Sequence, residues 1–122
     1  ALGHFTINFT TTNLPYSSDL HNPDSAKFSS TRRVMNTLLD RLLKKSSIGP
    51  DFLHCQTTAF RYGSGTVQGA ETGVDAVCSY RKEPSGLPLD RVGLYHEVSN
   101  MTKGIKNLGP YSLDKDSLYV KG

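Results

Sequence analysis

Two cysteines flank a glycine-rich segment, and their positions constrain how the central part of the chain can fold. Cys55 lies in residues 52–62, which are rich in threonine and aromatic residues, and Cys78 lies in residues 72–80. Both segments have the composition and alternation of β-strands. Residues 63–71 between them favour a hairpin loop. In the strand at residues 72–80, the side chains that share a face with Cys78 are those of Val74, Ala76 and Tyr80.

The cysteines also suggest a register for this hairpin. An antiparallel ladder that sets Cys55 opposite Cys78 centres the turn on residues 66–67, inside the glycine-rich loop, so hydrophobic pattern and turn composition agree. Opposed residues in a non-hydrogen-bonded pair are close enough for a disulfide, which would add about 3 kcal/mol of stability. The alternative is two buried thiols packed as small apolar groups. The same register predicts two further pairs, Thr57 with Ala76 and Ala59 with Val74.

The segments before the hairpin predict a strand and a helix. Residues 4–12 alternate strictly, which is typical of a half-buried strand. Its inward face carries Phe5, Ile7 and Phe9, and its outward face carries Thr6, Asn8 and Thr10. After a turn at residues 22–24, an amphipathic helix is expected to begin at a cap formed by Ser29 or Ser30. Its apolar stripe consists of Met35, Leu38, Leu39, Leu42 and Leu43.

The segments after the hairpin predict a second helix and a last strand. Asp90 is the expected N-cap of this helix, and residues 107–110 are expected to end it. Residues 117–121 form a short strand whose side chains on one face are Leu118 and Val120. The buried stripe of the helix is expected to consist of Leu94, Val98, Met101 and Ile105.

The resulting β-α-β-β-α-β order predicts an α+β, ferredoxin-like sandwich. Two helices would cover one face of a four-stranded antiparallel sheet. A length of 122 residues predicts a single domain over residues 1–122. No apolar run approaches the ~18 residues of a membrane-crossing helix, so we expect no direct membrane insertion.

Catalytic, metal and nucleic-acid sites are not expected in this chain. Ser64 lies between glycines, but its surroundings lack the strand and helix of a hydrolase elbow, so we expect a plain loop. The four histidines, which lack metal-ligand spacing, are His4, His21, His54 and His96. RNA-binding domains share this element order, but strand 72–80 lacks their aromatic motif and its Asp75 would repel phosphate. We therefore expect neither an enzyme nor a cofactor, and no nucleic-acid partner.

Two Asn-x-Ser/Thr sequons indicate sites for N-linked glycans, at Asn8 and Asn100. Asn8 falls on the outward face of the first strand, and no predicted element is left to cover that face. Asn100 falls well off the apolar stripe of the second helix at 100° per residue. Both side chains are thus expected to face solvent. Together with the expected disulfide, they favour a secreted context.

Several stretches resemble SEA domains of membrane mucins over about residues 5–122. The opening part of the resemblance lies in Asn22-Pro23, Lys27-Phe28 and Leu38-Leu39. The more specific stretches are residues 72–78, Leu89-Asp90-Arg91, residues 108–114 and residues 116–120. The resemblance implies an α/β sandwich with a four-stranded antiparallel sheet. It also implies a cysteine pair that matches Cys55 and Cys78.

The resemblance further implies a place and partners for the domain. It implies a module, monomeric in itself and often in tandem, of a heavily glycosylated mucin at the cell surface or shed from it. Partners implied by the family are cell-surface or matrix proteins and lectins that act through glycans, with mesothelin and galectins as examples. We accordingly expect a non-enzymatic spacer and adhesion platform. The alternatives are a self-cleaving SEA domain and a module that binds heparin or nucleic acid.

Self-cleavage is the reaction that the resemblance raises. The family motif is Gly-Ser followed by three apolar β-branched residues at the start of the third strand. The matching stretch is about residues 70–74, and it lacks the serine. Residues 60–64 mimic the motif but lie at the end of the second strand, beside a slack glycine-rich loop that stores no strain. We therefore expect no self-cleavage.

Overall fold

The computed structural model describes residues 1–63, 71–82 and 88–122. The strands are β1 (Leu2–Thr11), β2 (Phe52–Tyr62), β3 (Thr72–Arg81), β4 (Asn107–Leu108), β5 (Tyr111–Ser112) and β6 (Tyr119–Lys121). The helices are α1 (Ser18–His21), α2 (Ala26–Lys44) and α3 (Arg91–Met101), with a 3-10 turn at Gly49–Asp51. Strands β2-β3-β1-β6 form an antiparallel sheet in that order, and β4 and β5 form a separate hairpin.

This architecture confirms the predicted α+β fold. Helices pack on one face of the four-stranded sheet, as the β-α-β-β-α-β pattern indicates. The first strand alternates as expected, with Phe5, Ile7 and Phe9 buried in the core. The helices bury Met35, Leu39 and Leu43 from α2 and Leu94 and Val98 from α3. Short polar segments gave no signal for α1 or for the β4–β5 hairpin, and the sequence predicted neither.

Helix α2 begins earlier than the sequence predicted. Its N-cap is Ser25, whose hydroxyl accepts a hydrogen bond of 3.0 Å from the backbone N–H of Phe28. The prediction of a cap at Ser29 or Ser30 was wrong, because both residues lie inside the helix. Pro23 lies upstream of this start, and the Asn22 side chain accepts a bond of 3.0 Å from the Asp24 N–H. The predicted turn at residues 22–24 therefore leads directly into the helix.

The two candidate caps differ in their expected effect on stability. We expect Ser25→Ala to lower the free energy of unfolding by about 1 kcal/mol, because a backbone N–H loses its acceptor. Ser29→Ala is the matched control, and it should leave stability unchanged or slightly raised, because alanine favours a helix interior. Urea unfolding of both variants measures the difference. A larger loss for Ser29→Ala than for Ser25→Ala would contradict this helix start.

The β2–β3 register agrees with the prediction at one end of the hairpin and departs from it at the other. Cys55 faces Cys78, and Thr57 faces Ala76, as predicted. An irregularity between Thr57 and Ala59 then shifts the ladder by one residue. The predicted pairing of Ala59 with Val74 is therefore wrong, since Ala59 faces Asp75 and Phe60 faces Val74. The extra residue turns the bulky Phe60 ring into the core, where it packs edge-on against Phe28 with ring centroids 5.4 Å apart.

The outer edge of β2 is closed by side chains from α2. The backbone N–H of Cys55 donates to the Asp40 carboxylate at 2.7 Å. The backbone N–H of Thr57 donates to the Asn36 side-chain oxygen, also at 2.7 Å. Asn36 and Asp40 are four residues apart on one face of the helix, so they meet successive outward N–H groups of the strand. This pairing leaves β2 less open to unwanted strand addition.

Helix α3 ends before the sequence predicted. It stops at Met101, and Lys103, Gly104 and Ile105 follow with φ values of 57°, 77° and 61°. The expected helical stripe from Leu94 to Ile105 is therefore only partly correct. Ile105 is buried, but it reaches the core through a left-handed turn and not through a continued helix. The last strand, Tyr119–Lys121, is also shorter than the predicted residues 117–121, although Leu118 is buried beside it.

Candidate functional site

The two cysteines form a disulfide that joins β2 to β3. Cys55 and Cys78 lie opposite each other with Cα atoms 4.0 Å apart, and both side chains are buried. The bond faces the helices, on the same side of the sheet as Phe5 and Ile7. The predicted pairing is confirmed, and the alternative of two free thiols is wrong. The bridge joins the two strands of the hairpin, and β3 begins in the stretch that corresponds in position to the family's cleavage site.

Asn8 lies on the opposite side of the sheet, which we call the open face. The open face consists of the outward side chains of the four strands: Thr6, Asn8 and Thr10 on β1, Arg61 on β2, Asp75 on β3, and Tyr119 on β6. Asn8 lies between Asp75 and Tyr119, its cross-strand neighbours. Its side-chain nitrogen donates a hydrogen bond of 2.5 Å to the Asp75 carboxylate. The side chain is half-buried, so the amide is held in place but is not sealed in the core.

Asp75 is itself fixed by Arg61. The Arg61 Nε donates to one Asp75 carboxylate oxygen at 2.8 Å, and Nη2 donates to the other at 2.9 Å. The hydrogen bond with Asp75 raises the pKa of the Arg61 guanidinium, against a smaller lowering from burial. Gly73 makes room for this arrangement, because a Cβ there would lie 3.2 Å from the guanidinium carbon. The fork geometry orients Asp75 toward Asn8.

Asn100 occupies a different setting, in the last turn of α3. Its side chain is exposed, as the helical spacing predicted. The hydroxyl of Thr102, the third residue of this sequon, is buried and donates to the Val98 carbonyl at 2.7 Å. The threonine therefore belongs to the end of the helix, while the asparagine faces water. The two sequons thus place their asparagines at separate sites, one on a strand and one on a helix end.

Residues 72–74, which lie in the stretch that resembles the family's cleavage site, are regularly paired parts of β3. Thr72 pairs with Thr11 on one side and with Tyr62 on the other. Its hydroxyl is buried and donates to the Leu14 carbonyl at 2.5 Å. Among the described residues, the non-glycine residues with positive φ are Lys103 and Ile105, both far from this stretch in sequence. Ala70 and the predicted loop residue Ser64 lie outside the described residues, as does the predicted turn centre at residues 66–67.

The four histidines are spread over separate elements of the described structure. In the described part of the chain, no group of three or more histidine, cysteine or acidic side chains could hold a metal ion. Nor is any described helix long and apolar enough to cross a membrane. His4 and His54 both neighbour Ser79 across the sheet. They belong to separate strands, and the structure does not bring them together with His21 or His96 as one ligand set.

The predictions from the sequence did not include two residues of the open face as site residues. Asp75 was considered only as a charge that would repel phosphate, yet it anchors Asn8. Tyr119 is 60% exposed and lies directly across from Asn8. The signal was present, because the alternation of Leu118 and Val120 places Tyr119 on the other face. What the sequence lacked was the strand order that brings β3 and β6 to either side of β1.

A comparison with known families agrees with this structure. The family model for the SEA domain matches residues 4–114 of the chain. SEA domains are extracellular modules found in mucin-like proteins, and a disulfide is typical of proteins that fold in an oxidising compartment. The match covers the strand that carries Asn8, the disulfide and both large helices. The chain therefore belongs to the SEA domain family.

Proposed function

We propose that this chain is a non-enzymatic, glycosylated module of a cell-surface mucin, acting as a spacer and as a platform for glycan-linked contacts. It would be a single SEA domain over residues 1–122, at the cell surface or shed from it with its parent. The observation that carries the proposal is the regular strand pairing of residues 72–74, which lie in the stretch that resembles the family's cleavage site. A domain that stays whole keeps its parent chain continuous.

Self-cleavage needs a distorted backbone and a hydroxyl that attacks the preceding carbonyl. This requirement is the one that the family resemblance implies. The geometry at Thr72 disfavours the reaction. Thr72 is paired on both sides, so distortion of its peptide bond would break sheet hydrogen bonds. Its hydroxyl is already donated to the Leu14 carbonyl. An attack on the Glu71 carbonyl would first have to break that bond.

The positions of the sequons support a glycosylated surface. Asn8 lies on the face of the sheet that the helices leave open, and Asn100 lies on the solvent side of α3. Glycans at these places would extend into water without displacing core residues. The buried disulfide supports the same setting, because it persists outside the cytosol.

The parent protein and its partners follow from resemblance. Residues 108–114 and residues 116–120 resemble the SEA repeats of mucin-16, so we propose that the parent is a mucin of that kind with the domain in tandem. Mesothelin, galectins and other glycan-linked surface or matrix proteins are the partners that this resemblance supports. These partners would bind the glycans and not a cleft in the protein, because sugars at Asn8 and Asn100 would be the most accessible groups.

Intact-mass spectrometry tests this proposal on protein from a secretory host. We expect one uncut chain with the Cys55–Cys78 disulfide and with glycan mass at both asparagines. Variants Asn8→Gln and Asn100→Gln should each lose one glycan, which assigns the mass. After mild alkaline incubation, a denaturing gel should still show a single band. Two fragments would contradict the uncut module, and an unmodified mass would contradict the glycosylated one.

A further inference from the structure

We infer that the open face binds the first sugar of the Asn8 glycan, with Asp75 anchoring the amide and Tyr119 as the surface on which the sugar packs. This inference rests on the proposed glycosylation of Asn8 and adds the residues that would hold the glycan. The sugar is N-acetylglucosamine, the unit that is attached directly to asparagine in N-linked glycans.

The Asn8 side-chain amide carries two hydrogens on Nδ2. Glycosylation replaces one hydrogen on Nδ2 and leaves the other as a donor. The existing bond of 2.5 Å from Nδ2 to Asp75 can therefore survive attachment. Because Arg61 holds both Asp75 oxygens, the carboxylate has a fixed direction. The sugar then leaves the nitrogen by the bond that does not point at Asp75.

Tyr119 stands on the other side of Asn8 from Asp75. It is the cross-strand partner of Asn8 on β6, and opposed residues place their side chains on the same face with Cβ atoms roughly 5 Å apart. Its ring is 60% exposed. The ring face carries partial negative charge, which attracts the slightly positive C–H groups on the apolar face of a pyranose. The Lys121 Nζ lies over one face of the ring, 5.9 Å from its centroid, so the sugar would pack against the other face.

The edge position of β6 gives the contact a further effect. Strand β6 ends the sheet beside β1, and an exposed aromatic on an edge strand invites association with other chains. The opposite edge, β2, is closed by Asn36 and Asp40. A sugar packed on Tyr119 would cover apolar surface at this edge of the sheet.

The test measures how much the sugar stabilises the protein with and without Tyr119. All proteins carry Asn100→Gln, so that Asn8 holds the remaining glycan, and endoglycosidase H trims it to one N-acetylglucosamine. The sugar-free comparator is the same sequence from a bacterial host with its disulfide formed. We expect the single sugar to raise Tm by roughly 2–5 °C, as an added aromatic contact would. Tyr119→Ala should abolish most of this increment.

Tyr62→Ala is the matched control, because Tyr62 is 59% exposed and lies on the other edge of the sheet. This variant should keep the sugar's increment whatever its own effect on Tm. Proton NMR gives a second readout, since ring currents should shift sugar protons upfield in the parent and in Tyr62→Ala but not in Tyr119→Ala. An equal increment with and without Tyr119, and unshifted sugar protons, would overturn the inference alone. A secreted protein that carries no sugar on Asn8 would overturn the proposed glycosylation and this inference together.

Discussion

Reducing the Cys55–Cys78 disulfide should lower the free energy of unfolding by about 3 kcal/mol. The bond closes a loop between residues separated by 23 positions, and it restricts the unfolded chain by an amount that depends on this length. Urea unfolding with and without a thiol reductant measures the change. The loss is a large part of the ~5–15 kcal/mol that stabilises a typical domain, so the reduced protein should unfold at much lower urea.

The control for this result is a protein that lacks the bond from the start. Cys55→Ala combined with Cys78→Ala should be destabilised and should show no further response to the reductant. Because the side chains are buried, this variant also loses some packing, so its stability should fall slightly below that of the reduced parent. A parent protein whose unfolding curve is unchanged by full reduction would contradict the stabilising role of the bridge.

Phe60→Ala should lower the free energy of unfolding by about 3–5 kcal/mol, because a large buried ring is replaced by a cavity. Phe60 is 4% exposed and packs edge-on against Phe28. Tyr62→Ala is the matched control, two residues further along β2 with its ring 59% exposed. Its cost should be about 1 kcal/mol, because the exposed ring makes an edge-on contact with Tyr16, with ring centroids 5.8 Å apart, and its loss removes little surface from the core.

This pair of variants also tests the register of the hairpin. A regular ladder through Cys55 and Cys78 would bring Ala59 inward and leave Phe60 facing water. In that case, Phe60→Ala would cost little and Ala59 would tolerate no larger side chain. The irregularity between Thr57 and Ala59 reverses both expectations. If Phe60→Ala and Tyr62→Ala lowered the free energy of unfolding by equal and small amounts, β2 would have to continue without the irregularity.

The two faces of the sheet have different roles. The face that contacts the helices holds the core residues and the disulfide, and substitutions there should act on stability. The open face holds the linked set of Arg61, Asp75 and Asn8, and substitutions there should act on whatever Asn8 carries. The interior strand β1 contributes side chains to both faces, because its alternate residues point to opposite sides of the sheet.

Much of this fold could be predicted from the sequence, because the signals are local. Strict alternation in β1 follows from a period of two, and the Asp90 cap of α3 is confirmed by a bond of 2.9 Å from the Gly93 N–H. The pairing of Cys55 with Cys78 followed from a short hairpin in which pattern and turn agreed. The exposed position of Asn100 followed from helical spacing alone.

Other features were decided by contacts between residues far apart in the chain. The sequence predicted Ser29 or Ser30 as the cap of α2, whereas the helix begins at Ser25, directly after the turn at residues 22–24. The irregularity in β2 exists because burial of the Phe60 ring outweighs a regular ladder. The bond from Asn8 to Asp75 joins residues 67 positions apart, and it required the strand order that places β3 beside β1. Alternation thus determined which side chains share a face, whereas tertiary structure alone determined which of them meet, because neighbours in a sheet come from distant parts of the chain.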